Sequence, residues 1–252
     1  MSRTATPMDV IEGRARWCVV EGDALQVLTT LPDGCVDAVV TDPPYGVQWR
    51  GETWDADIPA PHVVAELLRV AHGSVLLFGA SRRMLDYARY VPQPDRVLAW
   101  TPPFTMSGAR NHGLYYHWEP IVGWRTQSQP GAPVFADVVR HRRAIPSEAW
   151  WTHGCTKPLP LMRDLVASFS APASVVLDCY AGSGTTGAAA LYEGRRVILV
   201  ERDAGHAEVA RKRCEEATGA SATRQTLSVL DARYSPNSAS ARIAALRGKS
   251  HP

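Results

Sequence analysis

Short, almost uninterrupted apolar runs alternate with segments of helical spacing along two stretches of this chain. The runs lie at residues 16–23, 36–42, 74–80, 96–100, 174–182 and 195–203. Runs rich in β-branched residues suit parallel strands that are covered on both faces. Their alternation with helical segments predicts an α/β fold built on a doubly wound, mostly parallel sheet. Ligands in such sheets bind at the carboxyl ends of the strands, so the functional residues are expected after Val40 and after Leu177.

The middle of the chain does not follow this alternation. Residues 101–152 are rich in Pro, Gly, Trp, His and Arg and contain few periodic segments. This composition predicts a loop-rich, irregular insertion that serves as a target-recognition region on the scaffold of residues 1–218. From residue 219 to 252 the chain is rich in Ala, Ser and Arg, which predicts a mobile C-terminal tail.

Composition and charge narrow the class of protein only moderately. The formal net charge is +2, from 27 Lys and Arg against 25 Asp and Glu. Any surface that binds nucleic acid must therefore come from local clusters of basic residues. The five cysteines form no Cys-x-x-Cys pair, and the histidines lack metal-ligand spacing, so neither a disulfide framework nor a metal site is expected. The sequence has no apolar run of membrane-spanning length and begins without an apolar leader, which predicts a cytoplasmic protein.

A glycine-rich turn follows the strand predicted before Asp178. Gly182 and Gly184 lie between that strand and a helix that starts near Thr185, and Glu201 ends the next strand. Free N–H groups at a helix start can bind an anion, and an acid at the next strand end can accept hydrogen bonds from ribose hydroxyls. The pattern predicts a nucleoside-type cofactor. It lacks the Lys of a P-loop and the third glycine spacing of an NAD site.

The other strand end carries the tetrapeptide of Asp42, Pro43, Pro44 and Tyr45. An exocyclic amine of a nucleobase is a poor nucleophile, because its lone pair is delocalised into the ring. The Asp42 carboxylate and the Pro43 carbonyl can accept its two N–H hydrogens and aim the lone pair at an electrophile. Tyr45 offers a ring on which a base flipped out of the duplex can stack.

These two motifs together resemble the S-adenosylmethionine-dependent DNA amino-methyltransferases, which modify adenine N6 or cytosine N4. The tetrapeptide precedes the glycine-rich turn, as in the permuted, β-type motif order, and the resemblance covers most of residues 17–216. It implies the Rossmann-like methyltransferase fold, with a sheet of the seven-stranded type. Smaller similarities include the segments around Asp23, Glu119 and Lys157.

The resemblance assigns residues to three functions. The catalytic candidates are Asp42, Pro43, Pro44 and Tyr45. The candidates for binding S-adenosylmethionine are Asp23, Lys157, Asp178, Tyr180, Gly182, Gly184, Thr185 and Glu201. The basic cluster of Arg140, Arg142 and Arg143 is a candidate for DNA phosphate contacts, with a solvated loop as the equal alternative. The expected partner is DNA with its target base flipped out, and the short recognition region is compatible with a homodimer.

Departures from the family pattern leave alternatives open. The turn has Cys179 and Tyr180 where the family usually has Pro and Phe, although Tyr180 keeps an aromatic side chain. Asp at the first tetrapeptide position resembles adenine enzymes more often than cytosine N4 enzymes, so adenine N6 is predicted and cytosine N4 is the alternative. Cytosine C5 methylation is excluded because no cysteine follows a proline. A catalytically silent nucleic-acid-binding module, or methylation of RNA or of a protein glutamine, remains the competing interpretation.

Overall fold

The computed structural model describes residues 4–51, 53–102, 117–129, 136–145, 150 and 155–222. The predicted tail beyond residue 222 and large parts of the predicted recognition region lie outside these residues. Among the described residues, no helix is long and apolar enough to cross a membrane.

One sheet of eight strands organises the described residues. The strands are β1 (Trp17–Glu21), β2 (Ala38–Thr41), β3 (Val75–Phe78), β4 (Arg96–Trp100), β5 (Glu119–Trp124), β6 (Val138–Val139), β7 (Val175–Asp178) and β8 (Arg196–Glu201). Their spatial order is β1-β8-β7-β2-β3-β5-β4-β6. All neighbours are parallel except β5, which is antiparallel to both β3 and β4. The predicted α/β fold with a mostly parallel sheet is therefore confirmed.

Helices cover both faces of the sheet. They are α1 (Pro7–Ile11), α2 (Ala24–Leu28), α3 (Pro61–Val70), α4 (Leu159–Phe169), α5 (Thr185–Tyr192) and α6 (Ala204–Ala222). Alternate residues of each strand face opposite sides. Val39 and Leu177 pack in a cluster with Leu67 of α3, whereas Val40 and Val176 pack with the residues of α4, α5 and α6. This alternation explains why the strands read as continuous apolar runs.

Two elements differ from the sequence-based prediction. The spacing of apolar residues in 82–91 predicts an α-helix, but Ser81–Arg89 forms a 3₁₀-helix. Only Tyr87 is buried in it, so little packing favours an α-helix. Helix α6 continues to Ala222, four residues past the predicted domain boundary at residue 218. Its buried face recurs at Ala207, Ala210 and Cys214 and reaches Ala217, next to the predicted boundary.

The strand order places two chain reversals next to each other. After β2 the chain moves to β3 on one side, and after β7 it moves to β8 on the other side. Strands β2 and β7 are parallel neighbours, with Val39 opposite Leu177. Both strands therefore end at one topological switch point, which is where open α/β sheets bind their ligands.

Candidate active site

The tetrapeptide begins where β2 ends and carries a compact set of polar contacts. Tyr45 Oη donates a hydrogen bond of 2.6 Å to Asp42 Oδ1. Lys157 Nζ donates one of 2.6 Å to Asp42 Oδ2. The side chain of Asp42 is 22% exposed and that of Lys157 is 8% exposed, so the ion pair is largely shielded from water. Both oxygens of Asp42 are therefore held in fixed positions at the strand end.

Glu119 at the start of β5 joins this cluster. Its Oε2 lies 3.1 Å from Tyr45 Oη and 3.6 Å from Lys157 Nζ. On the other side, Arg143 donates a hydrogen bond to Glu119 Oε1. Strand β5 runs antiparallel to β3, so its first residue lies at the same edge of the sheet as the end of β2. The sequence similarity around Glu119 therefore corresponds to a position inside the tetrapeptide cluster.

Burial and charge shift the protonation of these groups. Burial raises the pKa of the Asp42 carboxyl, and the Lys157 ammonium opposes that shift. Burial acts to lower the pKa of Lys157, but the charges of Asp42 and Glu119 outweigh it and raise that pKa. Burial, with the same two carboxylates, raises the pKa of Tyr45 well above its ordinary value. Tyr45 is thus a neutral donor and Lys157 a cation at physiological pH.

Asp55 fixes the loop that follows the tetrapeptide, and the sequence analysis missed it. Its side chain accepts hydrogen bonds from four backbone N–H groups, and the residue is 1% exposed. The donors and distances are Tyr45 at 2.5 Å, Gly46 at 2.9 Å, Val47 at 3.3 Å and Trp49 at 2.9 Å. The Trp- and Asp-rich composition of residues 46–60 was the available signal, but it does not indicate which acid turns inward.

The glycine-rich turn lies on the neighbouring strand end and is held by Glu201. Glu201 Oε2 accepts the N–H of Gly182 at 2.7 Å, and Oε1 accepts the N–H of Asp203 at 2.9 Å. Gly182 and Gly184 have φ values of +50° and +76°, as the predicted tight turn requires. Glu201 thus shapes the turn itself, and its partial exposure leaves room for further hydrogen bonds to a ligand.

Gly184 and Thr185 contribute through packing beneath the turn. A Cβ on Gly184 would lie 2.8 Å from Ala210 Cα, so the missing side chain allows α6 to approach α5. Thr185 is buried, and its Oγ1 accepts a hydrogen bond of 2.8 Å from Arg213. Arg213 is itself buried and also donates to the Ser183 carbonyl at 3.4 Å. Gly184 therefore permits the close approach of a helix, and Arg213 is a supporting residue that the motif did not reveal.

Asp178 connects the turn to the end of β2. Oδ1 accepts hydrogen bonds from Thr41 Oγ1 at 2.6 Å and from the Tyr180 N–H at 3.1 Å. Oδ2 accepts one of 2.6 Å from Thr186 Oγ1. Burial raises the pKa of Asp178 to about 6, although these three hydrogen bonds oppose the shift. The contacts of Asp178 thus organise the backbone of the site.

The remaining cofactor candidates differ in their surroundings. Tyr180 is half-buried, and burial raises the pKa of its hydroxyl, so the ring is neutral. Asp23 is exposed and accepts the N–H of Gln26 at 3.1 Å, which caps α2. Lys157 instead contacts Asp42 and Glu119 in the tetrapeptide cluster. The cofactor candidates therefore do not form one contiguous group.

The candidate DNA-binding arginines also divide into two groups. Arg140 and Arg142 follow β6 and are exposed. Arg143 instead pairs with Glu119, and its guanidinium lies 5.0 Å from the Trp100 ring centroid. Its position supports the tetrapeptide cluster. Within the described residues, no group of three or more His, Cys, Asp or Glu could hold a metal ion.

The fold resembles that of the Rossmann-like methyltransferases, and known proteins similar to this chain carry the same family description. Residues 118–212 match the N6_N4_Mtase family model, described as DNA methylase. The chain is 26% identical over 251 residues to the DNA adenine methyltransferase YhdJ of Escherichia coli (strain K12), covering 81% of this chain and 84% of YhdJ. It is 24% identical over 244 residues to the type II methyltransferase M.HinfI of Haemophilus influenzae, covering 79% and 68%.

A solved structure agrees with the fold. The M1.HpyAVI–SAM complex superposes with a TM-score of 0.60 at 21% sequence identity, covering 78% of this chain and 98% of that one. The cofactor that the sequence predicts is thus part of the structure of a similar protein. The family model, the similar methyltransferases and the solved structure all agree with the resemblance to the DNA amino-methyltransferases found in the sequence.

Proposed function

We propose that this enzyme transfers a methyl group from S-adenosylmethionine to the exocyclic N6 amine of adenine in DNA. The observation that carries the proposal is the position of the Asp42 carboxylate at the switch point of the sheet, one strand away from the glycine-rich turn. An acceptor for the amine and a binding turn for a methyl donor are thus adjacent, although Asp42 and Gly182 are 140 positions apart in the chain.

The pocket chemistry follows from acceptors that are fixed before the base arrives. Asp42 and the Pro43 carbonyl accept the two N–H groups of the amine and direct its lone pair. Tyr45 holds one Asp42 oxygen by its 2.6 Å hydrogen bond and provides a ring face for a flipped-out base. The methylated amine must release one proton, and Asp42 is the nearest carboxylate that can accept it.

The residues at the turn fit S-adenosylmethionine, which supplies an electrophilic methyl group when bound. Helix α5 begins without a side-chain cap, so its first N–H groups suit the carboxylate of the amino-acid moiety. Glu201 is a partly exposed acceptor that suits the ribose hydroxyls, and Tyr180 offers an aromatic wall for the adenine. Asp178 and Thr185 would stabilise the backbone of this site, and the exposed Asp23 would lie at its edge.

The choice of adenine rests on two observations. The first position of the tetrapeptide is Asp42, as in adenine enzymes, and YhdJ is named a DNA adenine methyltransferase. Methylation of cytosine N4 is the alternative, because an N4 amine presents the same two N–H groups. Arg140 and Arg142 are the proposed phosphate contacts, since both are exposed. A homodimer would enlarge a short recognition region, and light scattering of the purified protein tests it.

The decisive experiment is expression in a host without DNA methylation, followed by single-molecule sequencing of the host DNA. N6-methyladenine in a defined sequence context supports the proposal, and N4-methylcytosine supports the alternative. An Asp42→Ala variant expressed to the same level is the matched control and should leave the DNA unmodified. Unmodified DNA from cells that contain folded wild-type protein able to bind S-adenosylmethionine would overturn the proposal.

A further inference from the structure

Four side chains of the active site close a ring of polar contacts. Tyr45 Oη lies 2.6 Å from Asp42 Oδ1 and 3.1 Å from Glu119 Oε2. Lys157 Nζ lies 2.6 Å from Asp42 Oδ2 and 3.6 Å from the same Glu119 oxygen. The side chain of Glu119 is only 13% exposed. Lys157 therefore has two carboxylate partners within reach, and in this structure it is closer to Asp42.

The closer contact conflicts with the proposed chemistry at Asp42. The amine nitrogen gains positive charge as it accepts the methyl group, and an ammonium on the same carboxylate would oppose that charge. Two like charges a few ångströms apart repel each other strongly in a pocket that is largely shielded from water. Lys157 would also occupy one of the acceptor positions on Asp42. A productive complex therefore needs Lys157 moved away from Asp42 without loss of its counter-ion.

The surroundings of Lys157 provide for such a movement. Glu119 Oε1 is held by Arg143, so Oε2 remains directed at Lys157 and Tyr45. A displacement of about 1 Å would bring Nζ within hydrogen-bond distance of Glu119 Oε2. The rings of Tyr45, Phe78 and Trp100 have their centroids 5.1, 5.2 and 6.0 Å from Nζ. These rings stabilise the cation in either position.

We propose that Glu119 is a positioning residue. When the target amine binds, Glu119 replaces Asp42 as the ion-pair partner of Lys157. The inference rests on the proposed amino-methyltransferase function. In the free enzyme Lys157 covers Asp42 and neutralises it. In the complex the amine occupies Asp42, and Lys157 pairs with Glu119. Glu119 thus acts on the reaction through Lys157 and need not touch the substrate.

A double-mutant cycle in the full-length protein tests this coupling. Glu119→Gln keeps the shape but removes the second counter-ion, so Lys157 stays on Asp42. We expect kcat to fall at least tenfold, with the dissociation constant of S-adenosylmethionine unchanged. In a Lys157→Met background no ammonium needs to move, so adding Glu119→Gln should cause no further loss. An equal loss from Glu119→Gln in both backgrounds would show independent roles and overturn the inference.

A control and a second measurement keep the result interpretable. Glu193→Gln removes a carboxylate that pairs with Arg163 at 2.7 Å, away from the active site, and should leave kcat unchanged. Titration of Lys157 Nζ by NMR in the free protein needs no DNA. The groups that act on Lys157 are Asp42, Glu119 and Cys155, and Glu119→Gln should lower its pKa.

The two measurements separate the inference from the function on which it rests. An unchanged Lys157 titration in Glu119→Gln would overturn the pairing even if the enzyme methylates DNA. Wild-type protein that methylates no DNA would instead overturn the proposed function. A structure of the complex with target DNA and a non-reactive cofactor analogue should have Lys157 Nζ closer to Glu119 than to Asp42, and Lys157 remaining on Asp42 would contradict the transfer.

Discussion

Thr41 Oγ1 donates a hydrogen bond of 2.6 Å to Asp178 Oδ1. This contact joins the last residue of β2, which leads into the tetrapeptide, to the last residue of β7, which leads into the glycine-rich turn. Both residues are buried, so the bond forms where neither group can exchange it for water. The relative position of the two motifs therefore depends on a buried side-chain contact as well as on strand pairing.

Removing the Thr41 hydroxyl should weaken the protein and misalign its two motifs. Thr41→Val keeps the branched shape but leaves the buried Asp178 carboxyl with one donor fewer. We expect the free energy of unfolding to fall by about 1–3 kcal/mol, together with a lower kcat. Chemical denaturation and methyl-transfer assays measure the two effects. Thr41→Ser retains the hydroxyl and should lie closer to wild type, and equal losses in both variants would argue against the hydrogen bond.

The raised pKa of Asp178 should make stability depend on pH. The folded-state value of about 6 lies above the ordinary value of 3.8, so the unfolded chain loses this proton first as the pH rises. The wild type should therefore lose stability between about pH 4 and 6, by an amount on the order of 3 kcal/mol from this group. Asp178→Asn cannot titrate, so the stability of the variant relative to wild type should rise over this window. A pH-independent difference between the two proteins would contradict the raised pKa.

Loss of the Asp42 carboxylate should separate catalysis from cofactor binding. Asp42→Ala removes the acceptor that directs the amine, so methyl transfer should become undetectable. The dissociation constant of S-adenosylmethionine should change little, because Asp42 belongs to the neighbouring strand end. A tritium-transfer assay and calorimetry measure the two properties on one preparation. A fully active Asp42→Ala protein would exclude the role of this residue in catalysis.

Glu201 should determine cofactor affinity. Glu201→Ala removes the acceptor for the Gly182 and Asp203 N–H groups and the proposed acceptor for the ribose. Hydrogen bonds to a charged group contribute about 1.5–3 kcal/mol, so the dissociation constant of S-adenosylmethionine should rise roughly tenfold or more. Glu208→Ala removes an exposed acid of α6 and serves as the charge-matched control. Equal affinities of the two variants in calorimetry would count against this cofactor site.

Asp55 should matter for the geometry of Tyr45 without touching a substrate. In Asp55→Asn an amide NH₂ would face backbone N–H donors, so at least one of the four hydrogen bonds is replaced by repulsion. We expect kcat to fall and the free energy of unfolding to drop by a few kcal/mol, with cofactor affinity preserved. Asp57→Asn changes an acid on the same loop whose side chain is 76% exposed, and it should be nearly neutral. Similar behaviour of both variants would argue against a special role for Asp55.

The family resemblance, the α/β fold and the two motifs could be predicted because they depend on local order along the chain. Apolar runs of strand length, helical spacing between them, and the Asp42 and Gly182 motifs are all readable without coordinates. The resemblance also pointed to Glu119 and Lys157, although it placed Lys157 with the cofactor. A short segment of sequence is sufficient for these predictions, because each pattern reflects the conformation or the chemistry of its own segment.

Tertiary structure alone decided which of the site's side chains contact one another. Lys157 pairs with Asp42 across 115 residues, and Arg143, a predicted phosphate contact, also pairs with Glu119 and lies over the Trp100 ring. Asp55 and Arg213 carry no motif, yet one holds the tetrapeptide loop and the other supports the glycine-rich turn. A sequence pattern records which residue types are present. The pairing of buried charges and hydrogen-bond donors depends on strand order and desolvation, which arise only when distant segments pack together.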